Sequence, residues 1–331
     1  MTRFTRHSVV QERVATPTIS ALICTANRPE LACRAVASIL TNTHPSFEVL
    51  IVDQSDDGRT GTGIRRFFRD ARVRYLRSRE RGKGAALNAG LAIARAEIVA
   101  CTDDDCVTPP EWLVRMSAAF EGREGVAVVF GAVNAAPHDR GAGFVPTYQP
   151  AADRLVTSIL EKARARGIGA CMGLRRSAVL ALGGFDPAFG PGGRFPSCDD
   201  WDIAARALLV GYAVYETPSV LVVHDGFRTF REGRDHARRD WYALGAACAK
   251  PVRAGHLRAG LVAMQVFLAD AVAPLVRDLV RLRPPIGLTR ITAFVAGFIR
   301  GLRTPLRHDS LIYDLTRWNA PKRRHGSRRA E

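Results

Sequence analysis

The stretch Ile98-Val99-Ala100-Cys101-Thr102-Asp103-Asp104-Asp105 carries an apolar run straight into three carboxylates. Such a run, bounded by acids, reads as a buried strand whose mouth opens at the carboxylates. Packed carboxylates repel one another. Holding them ionised near neutral pH calls for a cation, and their hard oxygens suit Mg²⁺ or Mn²⁺. The Asp103-x-Asp105 spacing is therefore a candidate metal and diphosphate site. A solvated acidic turn, or a helix cap before Pro109-Pro110-Glu111, would look the same in isolation, so the flanking segments must decide.

Upstream, residues 18–24 read as a buried strand, and Thr25-Ala26-Asn27-Arg28-Pro29-Glu30 turns into an amphipathic helix over 31–40. Residues 47–52 form a second strand ending at Asp53. A helix around 64–68, a strand over 73–76, a Gly82-Lys83-Gly84 loop and a helix over 85–94 lead back to the strand at 98–101. Strands alternating with helices predict an α/β fold with a mostly parallel central sheet and helices on both faces. Its ligands bind beyond the carboxyl ends of the strands. Asp53 and the Asp103 run both fall at such ends, so two separately encoded carboxylate positions converge on one crevice.

Downstream, residues 126–130 read as a strand, 137–150 as a loop, 168–174 as extended and 177–182 as a short helix. Gly183-Gly184-Phe185-Asp186 and Gly190-Pro191-Gly192-Gly193 follow, the latter a lid, an acceptor loop or a plain surface turn. Cys198-Asp199-Asp200-Trp201-Asp202 opens a helix over 203–210, and a strand over 219–223 ends at His224. From about Arg253 the pattern is helical and basic. Leu257, Leu261, Met264, Leu268, Val272, Leu275 and Leu279 recur every three or four residues, and a second apolar stretch over 291–299 is flanked by Arg290, Arg300, Arg303 and Arg307. Gln265, Asp270 and Pro274 interrupt the first stretch and the second is too short to span a bilayer. Both are expected to be amphipathic helices that pack on the domain or lie in a membrane interface. The expected organisation is a basic tail over 1–16, the α/β domain over 17–249, a helical extension over 250–310 and a second basic tail over 311–331.

With 331 residues, 47% hydrophobic and 24% charged, the chain is long and apolar enough for a sizeable core. Its 48 Lys and Arg against 32 Asp and Glu give a net charge of +16, which suits anionic partners such as nucleotide phosphates, anionic lipid surfaces or nucleic acid. The seven cysteines are odd in number, scattered and without a C-x-x-C pair, which argues against a disulfide framework or a zinc ribbon and fits a reducing cytosol. The first sixteen residues lack a continuous apolar run, so no cleavable signal is expected.

The ordered set of residues 19–30, 47–53, Gly82-Lys83-Gly84-Ala85-Ala86-Leu87-Asn88-Ala89-Gly90 and Asp103-Asp104-Asp105 resembles the inverting family 2 glycosyltransferases of GT-A fold. The likeness extends over roughly Pro17 to Asp225. It implies a nucleotide-diphosphate-sugar site, with Asp53 near the base, Lys83 and Asn88 near the nucleotide, and Asp103 and Asp105 around the ribose, the divalent cation and the diphosphate. Thr25, Asn27, Arg28 and Asp104 are counted with the same nucleotide-sugar set. The Gly183-Gly184-Phe185-Asp186 and Asp199-Asp200-Trp201-Asp202 segments resemble the family's acceptor signature, which implies Asp200 as general base with Asp199 and Trp201 beside it. His224 resembles the histidine that completes the metal shell with Asp103 and Asp105 in several members, and Cys198 departs from the glycine common there.

The chemistry is coherent without the name. Displacing a nucleoside diphosphate from an anomeric carbon needs charge neutralised on the leaving phosphate and a carboxylate to take the acceptor's proton. A sugar-phosphate nucleotidyltransferase would be expected to carry a glycine-rich phosphate loop where Thr25-Ala26-Asn27-Arg28-Pro29-Glu30 stands. A nucleic-acid-binding protein would explain the charge, but no P-loop, zinc-finger spacing or RNP-like motif is present, so no nucleic-acid partner is expected. A non-catalytic scaffold is disfavoured because each expected acidic position is filled. The expected donor is UDP-linked first, with dTDP or GDP as alternatives. The expected acceptor is a saccharide or lipid-linked hydroxyl at the inner face of the plasma membrane.

Overall fold

The computed structural model describes residues 16–282 and 287–318; the basic N-terminal tail before residue 16 and the tail from residue 319 lie outside the described residues. The β-rich half comprises β1 (Ile19–Thr25), α1 (Pro29–Leu40), β2 (Phe47–Asp53), α2 (Arg59–Ile64), β3 (Val73–Arg77), α3 (Lys83–Ile93), β4 (Ile98–Asp103), β5 (Cys106–Val107), α4 (Trp112–Ala118) and β6 (Val126–Ala135). It continues through β7 (Gly143–Phe144), β8 (Arg154–Val156), β9 (Cys171–Arg175), α5 (Arg176–Ala181), α6 (Asp199–Leu209), β10 (Ala213–His224) and β11 (Arg228–Thr229). Then come α7 (Phe230–Arg253), α8 (Leu257–Phe267), α9 (Ala273–Val280), α10 (Gly287–Arg303), the hairpin β12 (Leu306–Arg307) and β13 (Ile312–Tyr313), and α11 (Leu315–Trp318).

The central sheet is mostly parallel, in the order β3-β2-β1-β4-β9-β6-β10-β5, with β9 running antiparallel between β4 and β6. Alternation along buried strands sends successive side chains to opposite faces. Ile19, Ala21, Ile23, Val49 and Ile51 share one core with Val36 and Ile39 of α1 and Trp112 and Met116 of α4. Leu22, Leu50, Val52 and Val99 share the other with Leu87 and Leu91 of α3, Val179 of α5 and Ile203 of α6. Register then aligns the strand ends, with Thr25 opposite Asp53 and Cys24 opposite Asp103. The convergence of the two carboxylate positions follows from this alignment.

Several boundaries differ from expectation for physical reasons. The strand expected over 219–223 begins at Ala213 and crosses Pro218, where its ladder with β6 loses register between Glu216 and Leu221. The expected boundary at 249/250 falls inside α7, a helix opened by a capping box in which Thr229 and Glu232 satisfy each other's backbone N–H. The segment from 311 is no tail at its start: Leu311, Ile312 and Tyr313 are buried, and the Tyr313 N–H donates to Asp186 Oδ2 at 2.9 Å.

Helix α10 lies across α7 at a crossing made of small residues. A Cβ at Gly245 would crowd the Phe294 carbonyl, and one at Gly297 would fall on the Tyr242 carbonyl, so only glycine lets the two backbones approach this closely. Pro274 does not end the helix before it. A π turn over Leu268–Val272 joins α8 to α9, and the Asp270 carbonyl, which the missing Pro274 N–H leaves free, accepts from Arg290 Nη1 at 2.9 Å. The joined run Leu257–Val280 is long and apolar enough, by length and composition, to cross a membrane. Midway, however, the Asp270 carboxylate takes a two-pronged bond from Arg166 of the α/β domain, at 3.1 and 2.6 Å, which holds the run along the domain surface. Its outer face stays bare, with Leu257 77%, Leu261 63% and Met264 55% exposed.

Candidate active site

The turn after β1 is tied to its neighbours by the residues the sequence singles out. Asn27 adopts φ +59°, a left-handed conformation that asparagine tolerates, and its amide bonds both the Asp56 N–H and the Asp56 carboxylate at 2.9 Å. Thr25 Oγ1 donates to Asp104 Oδ2 at 2.7 Å, and Arg28 Nη1 reaches Asp104 Oδ1 at 3.0 Å and Asp105 Oδ2 at 3.2 Å. Burial nonetheless pushes the Asp104 carboxyl above its ordinary value. Its oxygens are committed to holding β1 and β4 together. Asp53 is fully buried and accepts from the Ser55 N–H at 2.8 Å and from the Tyr75 hydroxyl at 2.5 Å. Asn88, expected near the nucleotide, clasps the Phe185 backbone instead, accepting from its N–H at 2.7 Å and donating to its carbonyl at 2.9 Å.

The trio expected to hold a metal is divided. Asp103 Oδ1 faces the Lys83 ammonium at 2.5 Å, whereas the ligand atoms of Asp105, Cys106 and His224 lie within 4.8 Å of one another. Asp105 Oδ1 is buried and accepts no hydrogen bond, although His224 Nε2 stands 3.3 Å away. His224 Nδ1 lies 3.1 Å from the Pro146 carbonyl; donating there leaves Nε2 with its lone pair towards Asp105. An orphaned carboxylate oxygen facing an imidazole lone pair fits a hard divalent cation. With Nε2 protonated instead, burial would still raise Asp105, but the His224 imidazolium and Arg28 hold it below its ordinary value, and Asp105 in turn raises His224 despite its burial. The Cys106 thiol, pushed well up by burial, stays protonated and is a poor partner for such an ion.

Lys83 opens α3 behind Gly82, whose φ of +101° only glycine adopts readily, and its N–H donates to the Pro191 carbonyl at 2.9 Å. This bond ties the glycine-rich loop over 190–193 to the start of α3. Burial would lower the Lys83 ammonium, but Asp103, Asp199 and Asp200 together hold it well above its ordinary value. Lys83 and Asp200 converge around Gly169: a Cβ there would meet Lys83 Nζ at 3.4 Å and Asp200 Oδ2 at 3.6 Å.

Across the site from α3, α6 starts at Asp199, after Cys198 at φ +66°, so three acids fall in its first turn, where free backbone N–H groups favour anions. Asp200 accepts from the Gly169 N–H at 2.8 Å and the Trp201 N–H at 2.6 Å, which fixes the carboxylate in place. Asp199 is buried, Oδ2 has no hydrogen-bond partner, and burial raises its pKa to about 6 despite Lys83. Trp201 lies under Lys162, whose ammonium sits 5.3 Å from the ring, donates to the Ala165 carbonyl at 2.6 Å and is lowered by burial to about 8.

A buried ion network that the sequence reading missed supports this side. Lys250 of α7 donates to Asp186 at 2.7 Å and Asp202 at 2.6 Å, while Arg206 joins Asp202 at 2.9 Å and the Leu182 and Gly184 carbonyls at 2.9 and 2.7 Å. The available signal was a lone lysine in the apolar run Ala246-Ala247-Cys248-Ala249-Lys250, which a helix buries only beside carboxylates.

Among known proteins, residues 20–183 match the model of glycosyl transferase family 2. The chain is 32% identical over 113 residues to an uncharacterized glycosyltransferase of Nostoc sp., covering 34% of this chain and 35% of that one. It is 32% identical over 101 residues to the succinoglycan biosynthesis protein ExoO of Rhizobium meliloti, covering 30% and 29%, and 29% identical over 98 residues to hyaluronan synthase of Pasteurella multocida, covering 29% and 10%. These matches span about a third or less of each relative. In structure it is similar to the mannosyltransferase PcManGT of Pyrobaculum calidifontis, solved with GDP-Man and Mn²⁺, with TM-score 0.58, 20% identity and 87% of each chain covered. It is also similar to S. aureus TarS, with TM-score 0.56, 14% identity and 89% and 83% covered. A GT-A sheet, the ordered motifs at its carboxyl edge and the family match agree: the chain belongs to the family 2 glycosyltransferases.

Proposed function

We propose that the chain moves a glycosyl group, with inversion, from a nucleotide-diphosphate sugar to an acceptor hydroxyl, and that it depends on Mn²⁺ or Mg²⁺ held by Asp105 and His224 beside Asp103. The observation that carries this reading is the meeting of Lys83 and Asp200 at Gly169, which points a cation and a fixed carboxylate at the same space. The Lys83 ammonium suits the oxygens of a diphosphate. Asp200, held by two backbone donors, takes the acceptor proton while the hydroxyl attacks opposite the departing diphosphate, so an α-linked donor gives a β-glycoside. A divalent cation would neutralise charge developing on that leaving group. The metal and nucleotide sugar of the Pyrobaculum structure support a nucleotide-sugar donor bound with a divalent cation; the nucleotide assigned here is UDP first, with dTDP or GDP as alternatives.

The names of the ExoO and hyaluronan synthase relatives support a role in polysaccharide or glycolipid synthesis. The bare apolar face of Leu257–Val280, with Arg258, Arg277 and Arg281 along it, supports work at the anionic inner face of a plasma membrane. Thermal-shift titration of UDP-, GDP- and dTDP-sugars with Mn²⁺ tests the donor reading. One nucleotide class should raise Tm only with the metal present, and no response from any of them contradicts the reading.

A further inference from the structure

A groove of about 400 Å³ lies where the segment leading into the acid pair meets α7 and α10, lined by Arg194, Arg238, Arg239, Tyr242, Thr292 and Ala296. Arg238 and Arg239 are exposed and have no hydrogen-bonded or ion-paired partner among the described residues. The planar forks of the Arg238 and Arg239 guanidinium groups suit oxyanions that offer paired oxygens, a phosphate or a carboxylate.

Its two borders narrow the choice. On one side, the Phe195 and Tyr242 rings stand 5.6 Å apart, and the Cys198 thiol reaches the carbonyl of Asp240, next to Arg239, at 3.8 Å. The arginines thus adjoin the residue that precedes Asp199 and Asp200. On the other side, Leu288, Val295 and Ile299 stand exposed on α10 three or four residues from Thr292 and Ala296, so an apolar strip runs along the rim. The groove thus sets cationic charge between the segment that leads into Asp199 and Asp200 and an exposed apolar strip.

We propose that the groove holds the phosphate or diphosphate of a lipid-linked acceptor, between its hydroxyl-bearing end and its apolar chain. This rests on the sugar-transfer reading and assigns the acceptor class for that site. A neutral polysaccharide acceptor has no use for the arginines, and a soluble sugar phosphate has none for the strip.

The test is calorimetric titration of the full chain with farnesyl diphosphate without divalent cations, beside farnesol and inorganic diphosphate, for wild type and the Arg238→Gln/Arg239→Gln variant. Both positions are exposed, so the fold should persist, and melting temperature checks it. Wild type should bind farnesyl diphosphate more tightly than either fragment. The variant should bind it about tenfold or more weakly, as loss of charge-assisted bonds implies. Equal affinity in the variant, or inorganic diphosphate or farnesol binding as tightly as the whole probe, overturns the proposal. So does a variant that loses only its binding to phosphatidylglycerol vesicles, since the arginines would then serve the bulk membrane. Mn²⁺-dependent nucleoside diphosphate binding, measured on the same samples, reports the donor reading separately. Its failure beside arginine-dependent probe binding would sink that reading, and with it the acceptor role, and leave the groove a lipid-phosphate site alone.

Discussion

Asp199 and Asp200 adjoin in sequence and differ in surroundings. Asp200 is held by two backbone donors, while Asp199 is buried with one oxygen unpartnered. If Asp200 is the general base, Asp200→Asn lowers the single-turnover transfer rate by roughly 10²–10⁴-fold with donor affinity kept, and Asp199→Asn lowers it less. The order reversed would move the base to Asp199. Asp199 has a second consequence, in stability. Its pKa is about 6 in the fold against an ordinary 3.8, so the fold favours the protonated form, and stability is lost as pH rises from the unfolded value through about 6. Asp199→Asn should therefore melt higher than wild type above pH 6, with the difference vanishing near about pH 4. A pH-independent difference would contradict this cause. The chain's motifs made the positions of Asp200, Lys83 and His224 legible, at a helix start, a glycine-flanked loop and a strand end, while the roles expected of them came from the resemblance. They did not show that Asp104 and Asn88 would be committed to the fold, since that depends on Thr25, Arg28 and Phe185, which only tertiary packing brings near.

At the scale of elements, the strand ends were readable because apolar runs with acids at their mouths have one reading in a buried parallel sheet, as β2 and β4 illustrate. Helix α7 was not, because its long polar first turns, Arg231-Glu232-Gly233-Arg234-Asp235, carry no apolar period, and the capping box and the crossing with α10 stabilise it instead. That crossing gives a prediction. Gly297→Ala should lower the midpoint of urea unfolding by the equivalent of about 1–3 kcal/mol, the range for overpacking. Gly260→Ala, where a Cβ would find only ordinary contact at 3.6 Å, should be neutral or stabilising. Equal effects at the two sites would mean that α10 does not depend on close approach.

At the scale of the whole molecule, the α/β domain and the C-terminal helices are one unit, since Lys250 and Tyr313 both anchor on Asp186. Cutting the chain at residue 249 would strand Asp186 and Asp202 as buried unpaired carboxylates, so membrane binding is better tested on the full chain. Wild type should float with phosphatidylglycerol vesicles, less so as salt rises, and Leu261→Glu/Met264→Glu/Leu268→Glu should remain in the pellet fraction. Equal flotation would show that the exposed stripe does not meet the bilayer. The central claim is that Asp105 and His224 form a cation site on which a nucleotide sugar depends. It is tested most directly by calorimetric titration of UDP, GDP and dTDP, with and without Mn²⁺, into wild type and Asp105→Ala, with melting temperatures measured alongside. The account predicts that one nucleotide binds wild type only with Mn²⁺, and that Asp105→Ala loses that binding while melting within a few degrees of wild type. Undiminished Mn²⁺-dependent binding by Asp105→Ala would contradict it.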